Sequence, residues 1–195
     1  MLPPDRPRLS RADVQRRIAR AGVDRVRFPL VILGIRGYYL DGMGAVGRND
    51  RGIYDDALFL DAPDAFAAFN ANTDPSRVRS GSGRGAGKGM AVLTPGVWPV
   101  YRFDKHKGQY LALCQRAGEV TVMRDGLPPY PDTGMFGINI HRGGNTTTSS
   151  EGCQTIPPDQ WPAFIALAVD QARRLFGDRW DRTVIPYVLT EESRP

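Results

Sequence analysis

The stretch of sequence from which the fold and the chemistry are inferred runs Gly137-Ile-Asn-Ile-His141-Arg-Gly-Gly-Asn145-Thr-Thr-Thr-Ser-Ser150-Glu-Gly-Cys153-Gln-Thr. Its first residues belong to the alternating segment Phe136-Gly-Ile138-Asn-Ile140, which is typical of a buried strand that ends at His141. The next two glycines predict a loop, and a third glycine stands directly before Cys153. A strand-end histidine, a glycine loop and a Gly-Cys pair therefore follow one another within a short distance.

This combination of residues suits acyl transfer through a thiol. A thiol attacks a carbonyl only as the thiolate, so it needs a nearby base, and imidazole is the usual one near neutral pH. We therefore expect His141 to take the proton of Cys153, twelve positions further along the chain. Glycine at Gly152 lets the backbone approach a substrate carbonyl, so the N–H groups of Gly152 and Cys153 are expected to stabilise the oxyanion.

The stretch resembles the signature of the L,D-transpeptidase catalytic domain, in which a strand-end His and a Gly-rich loop precede Ser/Thr-His-Gly-Cys. His141 matches the family's base, Ser150 its Ser/Thr, and Gly152-Cys153 its Gly-Cys. The chain departs from the pattern at Glu151, where the family has His, and at Thr155, where Arg or Asn is usual. The resemblance implies a β-sandwich or barrel with a C-terminal helix packed on it.

The chain is also similar to bacteriophage proteins of the lysis type (endolysins), in which this domain is the whole chain. The likeness rests on Gly34-Ile-Arg-Gly-Tyr-Tyr, Asn49-Asp-Arg-Gly-Ile-Tyr-Asp-Asp56, Phe69-Asn-Ala-Asn-Thr-Asp-Pro75 and Gly96-Val-Trp-Pro99. It implies an enzyme that attacks the stem peptide of peptidoglycan by hydrolysis through a thioester. Cross-link formation by a true L,D-transpeptidase and a non-catalytic wall-binding module are the alternatives.

Several residues around the pair are candidate substrate contacts. The guanidinium of Arg142 could hold a stem-peptide carboxylate, and its carbonyl could orient His141. Glu151 could orient His141 or bind a substrate amine. The remaining candidates for substrate binding are Ser150, Gly143, Gly144 and Asn145.

Composition favours one soluble, β-dominated α+β domain. The chain has 195 residues, of which 41% are hydrophobic, 24% are charged, 22 are Gly and 16 are Pro. The net charge of +5 favours an anionic partner without choosing among polymers. The resemblance selects peptidoglycan, and no nucleic-acid partner, metal or cofactor is expected.

Residues 1–27 are expected to form a basic N-terminal helix or arm, and residues 28–195 a single catalytic domain. Ser10 and Asp13 form a capping box, Leu9 and Val14 a hydrophobic staple, and Gly22 ends the helix. Its arginines suit either a solvated surface or contact with an anionic envelope surface; they are Arg11, Arg16, Arg17 and Arg20.

Further elements follow from local pattern. Apolar runs predict strands at Phe28 to Tyr39, Ala57 to Leu60, Met90 to Leu93, Tyr110 to Cys114, Glu119 to Met123 and Thr183 to Leu189. Helical spacing predicts a long helix from Asp159 to Phe176, and Pro63-Asp64 predicts a short helix through Phe69. Pro186 predicts an edge or a bulge in the last strand.

Other chemistries fit the sequence less well. A zinc site from His106, His141 and Cys153 has no supporting spacing, and His106 lies in a charged segment where solvation is expected. Arg77 to Gly89 lacks the residues of a phosphate loop and predicts a mobile loop that gates or grips substrate. Glycosidase carboxylates would have to come from Glu151, Asp55, Asp56 and Asp125.

Cysteine usage and the N-terminus bear on location. Two cysteines argue against a disulfide framework, and Cys114 is expected to be a buried hydrophobe. The N-terminus lacks a signal-peptide layout, and no apolar stretch approaches the roughly 20 residues of a transmembrane helix. We expect synthesis in the host cytoplasm and action on the wall after release by a separate membrane-permeabilising protein.

Overall fold

The computed structural model describes residues 1–81 and 87–192 of the chain. The elements in chain order are α1 (Arg11–Arg20), β1 (Val31–Arg36), β2 (Asp56–Ala62), β3 (Ala65–Ala71), β4 (Ala91–Leu93), β5 (Gly96–His106), β6 (Tyr110–Gln115), β7 (Val120–Arg124), β8 (Tyr130–Gly134), β9 (Ile140–Arg142), β10 (Gln154–Ile156), α2 (Trp161–Phe176) and β11 (Ile185–Glu191). A short 3-10 helix, Gly177–Arg179, follows α2. The fold is mixed α+β and β-dominated, with the C-terminal helix expected from the sequence.

Eight strands form one sheet that nearly closes into a barrel. Their order is β10-β9-β6-β5-β11-β1-β2-β3, and β4, β7 and β8 form a smaller sheet. The two edges of the large sheet meet where Asn72 and Thr155 exchange backbone hydrogen bonds of 2.9 and 2.8 Å. Closure of this kind satisfies edge groups that would otherwise remain unpaired. It also brings the chain beyond β3 next to the strand that follows Cys153.

The first strand is apolar up to its last residue, Arg36, because both of its faces are covered. Leu30 and Ile32 pack into the main core with α2 and the small sheet, whereas Val31, Leu33 and Ile35 pack into a second core under α1. Side chains alternate between the two faces of a strand, so a strand that is buried on both sides reads as a continuous hydrophobic run.

Helix α1 is packed on the sheet. Val14 and Ile18 are fully buried, and the predicted cap is present because Ser10 Oγ accepts from the N–H of Asp13 at 3.2 Å. The arginines of the helix largely pair within the chain: Arg11 with Asp61, Arg16 with Asp13, and Arg17 with Glu192. Among the described residues only Arg20 of this set has no ion-pair partner, which leaves little free charge for an anionic surface.

The predicted short helix after Pro63 is wrong, because this segment is strand β3, joined to β2 by a tight turn that pairs Ala62 with Ala65. Its side chains alternate: Ala67 and Phe69 face the main core, while Phe66 and Ala68 face the core under α1. The alternation of buried side chains between the two faces is typical of a strand, and it outweighs the weak helix-start signal of the Pro-Asp pair.

The other predicted elements are confirmed with small shifts at their ends, apart from the buried strand expected over Phe136 to His141. Only Ile140–Arg142 is strand there, because the N–H groups of residues 136–138 donate to the Gln115 side chain and not to a neighbouring strand. The predicted long helix is α2, which buries Trp161, Phe164, Ala168 and Ala172. The register between β11 and β5 shifts between Ile185 and Tyr187, so Pro186 stands at a bulge as expected. In the part of the chain that the structure describes, no helix has the length and apolar character needed to cross a bilayer.

A glycine in β1 makes room for a large aromatic side chain of the barrel interior. A Cβ on Gly34 would lie 1.9 Å from the hydroxyl of Tyr187 and 2.6 Å from its Cζ. Tyr187 is fully buried and its hydroxyl donates to Gln154 Oε1 at 3.1 Å, one residue after Cys153. The space left by Gly34 therefore lets Tyr187 reach Gln154, and this hydrogen bond helps to hold the strand that follows Cys153.

We expect Gly34→Ala to lower the free energy of unfolding by about 3 kcal/mol, because the fully packed ring cannot move aside. Gly42→Ala is the matched control: a Cβ there meets nothing within 4 Å, and the change should stay within about 0.5 kcal/mol. Urea denaturation followed by tryptophan fluorescence measures both. Equal stability of the two variants would contradict this packing.

Candidate active site

Cys153 lies at the wall of a cleft of about 550 Å³ that also contains His141, His106 and Asn139. The position follows from parallel pairing of β9 with β10, in which Gln154 lies opposite Ile140. The backbone N–H of Asn139 donates to Cys153 Sγ at 3.3 Å, and Sγ lies 3.4 Å from the carbonyl of Gly137. The thiol is thus held by the chain that leads into β9, and it lies in the same cleft as the predicted base.

The ring of His141 is oriented by the carbonyl of Arg142, which lies 2.7 Å from Nδ1. A carbonyl oxygen only accepts, so Nδ1 carries the hydrogen and Nε2 of the neutral ring is left as an acceptor. Tyr110 adds a longer contact, with its hydroxyl 3.4 Å from Nδ1. His141 therefore has the tautomer that a proton acceptor requires.

Burial keeps both reacting groups neutral at rest. Burial, together with the neighbouring His106, lowers the pKa of His141 from 6.5 to about 4. Burial raises the pKa of the Cys153 thiol from 9.0 to about 11, although the Asn139 N–H opposes the shift. The cleft therefore holds a neutral thiol and a neutral imidazole, so a reaction at this thiol would require proton transfer together with attack.

His106, which the sequence predicts to be solvated, is buried with 6% of its surface exposed, so that prediction is wrong. Its ring stacks on that of His141 with centroids 4.0 Å apart and planes 18° from parallel. The side-chain amide of Asn139 lies 3.0 Å from its Nδ1. Strand β5 continues to His106 because a turn of three residues, Lys107 to Gln109, joins it directly to β6, and that turn is the signal that sequence reasoning missed.

The tautomer of His106 follows from the amide beside it. Asn139 Oδ1 accepts from the backbone N–H of Gln115 at 2.9 Å, which directs the NH₂ group toward His106. Nδ1 of His106 is therefore the acceptor, and Nε2 carries the hydrogen. Two neutral rings can stack at this distance without the repulsion that two imidazolium ions would suffer.

Gln115 organises the backbone around the thiol. This fully buried side chain accepts through Oε1 from the N–H groups of Phe136, Gly137 and Ile138 at 2.9 to 3.1 Å. Its Nε2 donates to the carbonyls of Gly118 and Gly134. Because Gly137 contacts the thiol, Gln115 is a positioning residue, and neither it nor Asn139 was among the predicted site residues.

The turn before the thiol uses one of the predicted oxyanion donors. Ser150 Oγ accepts from the N–H of Gly152 at 3.0 Å and donates to the carbonyl of Cys153 at 2.7 Å. Among the described residues the N–H of Cys153 has no hydrogen-bond partner, so it is the donor that remains. Ser150 is buried and shapes the turn. A Cβ on Gly152 would lie 2.6 Å from the carbonyl oxygen of Ala91, so glycine is required there.

The other predicted substrate contacts fall into two groups. Gly143, Gly144 and Asn145 build the loop outside the cleft, where the Tyr54 hydroxyl donates to the carbonyl of Gly144 at 2.7 Å. Glu151 does line the cleft.

The guanidinium of Arg142 lies outside the cleft wall, 5.1 Å above the centre of the Tyr110 ring, so its contact with His141 is made by its carbonyl.

The predicted gating loop at 77–89 falls partly on residues 82–86, which lie outside the described part of the chain. Its flanks form one wall of the cleft through Arg79, Lys88 and Gly89. Arg79 pairs with Glu151 across the rim at 3.2 Å. The described flanks thus place positive charge beside the thiol.

The two cysteines are free, and Cys114 is fully buried as expected. Within residues 1–81 and 87–192, no group of three or more His, Cys, Asp or Glu side chains is placed to hold a metal ion. Of the predicted zinc ligands, His106 and His141 meet face to face, and each already uses Nδ1 in a hydrogen bond.

The chain was compared with protein-family models, with curated proteins and with solved structures. It matches none of them. The geometry of the cleft and the chemistry of its residues therefore carry the functional argument.

We expect His141 to titrate near pH 4, since burial lowers its pKa to about that value. The chain has two histidines, so in His106→Phe the one remaining imidazole is His141, and NMR of its ring protons gives its pKa directly. The phenyl ring keeps the stack and should keep the pKa low. In His106→Ala the site opens to water, and the pKa should rise toward its ordinary value.

The same shift has a consequence for stability. The unfolded chain takes up a proton at His141 near pH 6.5, whereas the folded chain resists it until about pH 4. Stability from this residue is therefore complete above about pH 6.5 and is lost as the pH falls from there toward 4. A ring that titrates near pH 6.5 in His106→Phe would contradict the buried neutral site.

Proposed function

We propose that this protein is a cysteine-dependent acyl-transfer enzyme that hydrolyses the stem peptide of peptidoglycan through a thioester. The observation that carries the proposal is the thiol of Cys153 in one cleft with His141, whose ring is fixed in the tautomer that accepts a proton. A nucleophile, an acceptor held by a third group, and a free backbone donor are the parts that acyl transfer requires.

The reaction begins from the neutral pair. His141 Nε2 takes the thiol proton as Sγ of Cys153 bonds to the amide carbonyl carbon, and the N–H of Cys153 receives the developing oxyanion. The C–N bond then breaks, and the leaving amine takes the proton from Nε2. In the second half His141 removes a proton from water, which attacks the thioester. The C–S bond breaks and the thiol recovers its proton, leaving a carboxylate product.

The charge of the cleft supports an anionic substrate. Five cations line it, and the carboxylates that pair with them come from three residues; the cations are Arg79, Lys88, Lys107, Arg116 and Arg124. Stem peptides carry free carboxylates, which such a cleft attracts. Both Lys88 and Arg124 lie over the aromatic ring of Phe136, which adds an apolar surface to the cleft.

The likeness to L,D-transpeptidase domains and to phage lysis proteins gives the substrate and the setting. A β-dominated, nearly closed sheet with a packed C-terminal helix fits that expectation. In this setting the enzyme is made in the host cytoplasm and reaches the wall after release. Transfer of the acyl group to a second stem's amine would make cross-links by the same first half-reaction.

A second candidate is a wall-binding module without activity. One observation favours it: burial raises the pKa of the Cys153 thiol to about 11, so very little thiolate exists at neutral pH. Such a module would bind sacculi through the basic cleft and leave every stem intact.

Mass spectrometry of purified peptidoglycan after incubation with wild type, Cys153→Ala and Cys153→Ser, each with and without a chelator, distinguishes these functions. We expect wild type to cleave stems and both variants to lose at least about 10³-fold in rate, since the nucleophile is removed. Cys114→Ala is the matched control, because this buried thiol lies outside the cleft wall and should leave cleavage unchanged.

Other outcomes name the alternatives. New cross-links that depend on Cys153 would indicate a transpeptidase. Intact stems with co-sedimentation of all variants would indicate the binding module. Cleavage that Cys153→Ala retains, or that a chelator abolishes, would overturn the thiol mechanism.

A further inference from the structure

One cation of the cleft stands apart from the others. Arg79 pairs with Glu151, Arg116 with Asp104, and Lys88 and Arg124 share Asp132. Lys107 lines the same cleft, and within the described residues no carboxylate pairs with it. Among the described cations of the cleft wall, only Lys107 is left uncompensated by a carboxylate of the protein.

The backbone of Lys107 is also unusual. It lies in the turn between β5 and β6, with φ of 49° at Lys107 and 72° at Gly108 and a hydrogen bond from the N–H of Gln109 to the carbonyl of His106. Positive φ at both central positions defines a type I′ turn, which favours Asn-Gly or Gly-Gly. A lysine there costs stability, and such outliers point to a functional constraint.

The neighbours of this lysine are the reacting groups. It directly follows His106, whose ring stacks on His141, and its positive charge acts on both imidazoles and on Cys153. The other charged or titratable groups around the two rings are Tyr110 and Arg116 from β6 and Arg142 from β9, whose guanidinium lies over the Tyr110 ring outside the cleft wall. With both histidines neutral, Lys107 is the cation of the cleft wall that adjoins one of the two rings in sequence, and in the described part of the chain no carboxylate pairs with it.

We propose that Lys107 is the anion-binding residue of the cleft, and that its ammonium receives a carboxylate of the substrate beside Cys153. The assignment deepens the proposed acyl transfer and rests on it for the identity of the substrate. The binding of an anion at this position can nevertheless be measured without any turnover.

Cys153 itself serves as the reporter in the test. Iodoacetate and iodoacetamide alkylate the same thiolate and differ in one negative charge. The ratio of their rates at Cys153 therefore cancels the thiolate fraction and measures attraction of the anion. Mass spectrometry reads the modification at Cys153, and the same ratio for the urea-unfolded chain gives the reference without a folded cleft.

We expect the ratio of the iodoacetate rate to the iodoacetamide rate to be higher in folded wild type than in the unfolded reference. Lys107→Asn should lower this ratio about fivefold, which is the factor for the interaction of two unit charges near contact distance in water. Lys107→Arg should retain it, and high salt should weaken it. Lys105→Asn is the matched control, since this exposed lysine lies outside the cleft wall and its loss removes the same charge.

Stability provides a second readout that a merely structural lysine would not produce. Asn accepts positive φ more readily, so Lys107→Asn should raise the Tm by about 2 °C while it weakens anion attraction. An unchanged rate ratio in Lys107→Asn, or a wild-type ratio equal to the unfolded reference, would overturn the proposal. If stem peptides stay intact while Cys153 still reacts preferentially with iodoacetate, the proposed acyl transfer is wrong and the anion-binding role of Lys107 is supported.

Discussion

The candidate site depends on the hydrogen bonds of one residue, Asn139. Its backbone N–H donates to Cys153 Sγ and its carbonyl accepts from Gln154, while its side chain joins Gln115 to His106. Every one of these partners is buried or lines the cleft. A single residue thereby sets the place of the thiol, the start of the parallel strand pair and the tautomer of the stacked histidine.

Burial and charge are separated in space around this residue. The interior holds neutral groups, because a low-polarity environment disfavours the thiolate and the imidazolium alike. The rim holds cations, most of them matched by carboxylates of the chain. A substrate that covers the cleft would exclude water and bring its own anion to the rim, so proton transfer within the pair would occur in an environment closed by the substrate.

The barrel supplies rigidity to this arrangement. The edges of the sheet meet at Asn72 and Thr155, two residues beyond the thiol. Buried side chains hold the closing segment: Asp56 accepts from the N–H of Thr73 at 2.6 Å, and Arg36 donates to the Thr73 carbonyl at 2.8 Å. Because these groups are satisfied by one another away from water, the backbone that carries Cys153 has few alternative positions.

Local pattern in the sequence was enough to predict the capped helix α1, the amphipathic helix α2, most strands and the buried Cys114, and it singled out His141 and Cys153, which line one cleft. Each is encoded by residues close to one another, through periodicity, capping and glycine. The tertiary structure alone decided the surroundings of His106 and Gln115, because their partners come from distant parts of the chain, and it alone placed Lys107 at the cleft wall. His106 meets Asn139 over 33 positions of chain, and Gln115 reaches the loop before β9 over more than 20. Contacts at such separations depend on strand order and closure, which no local pattern encodes.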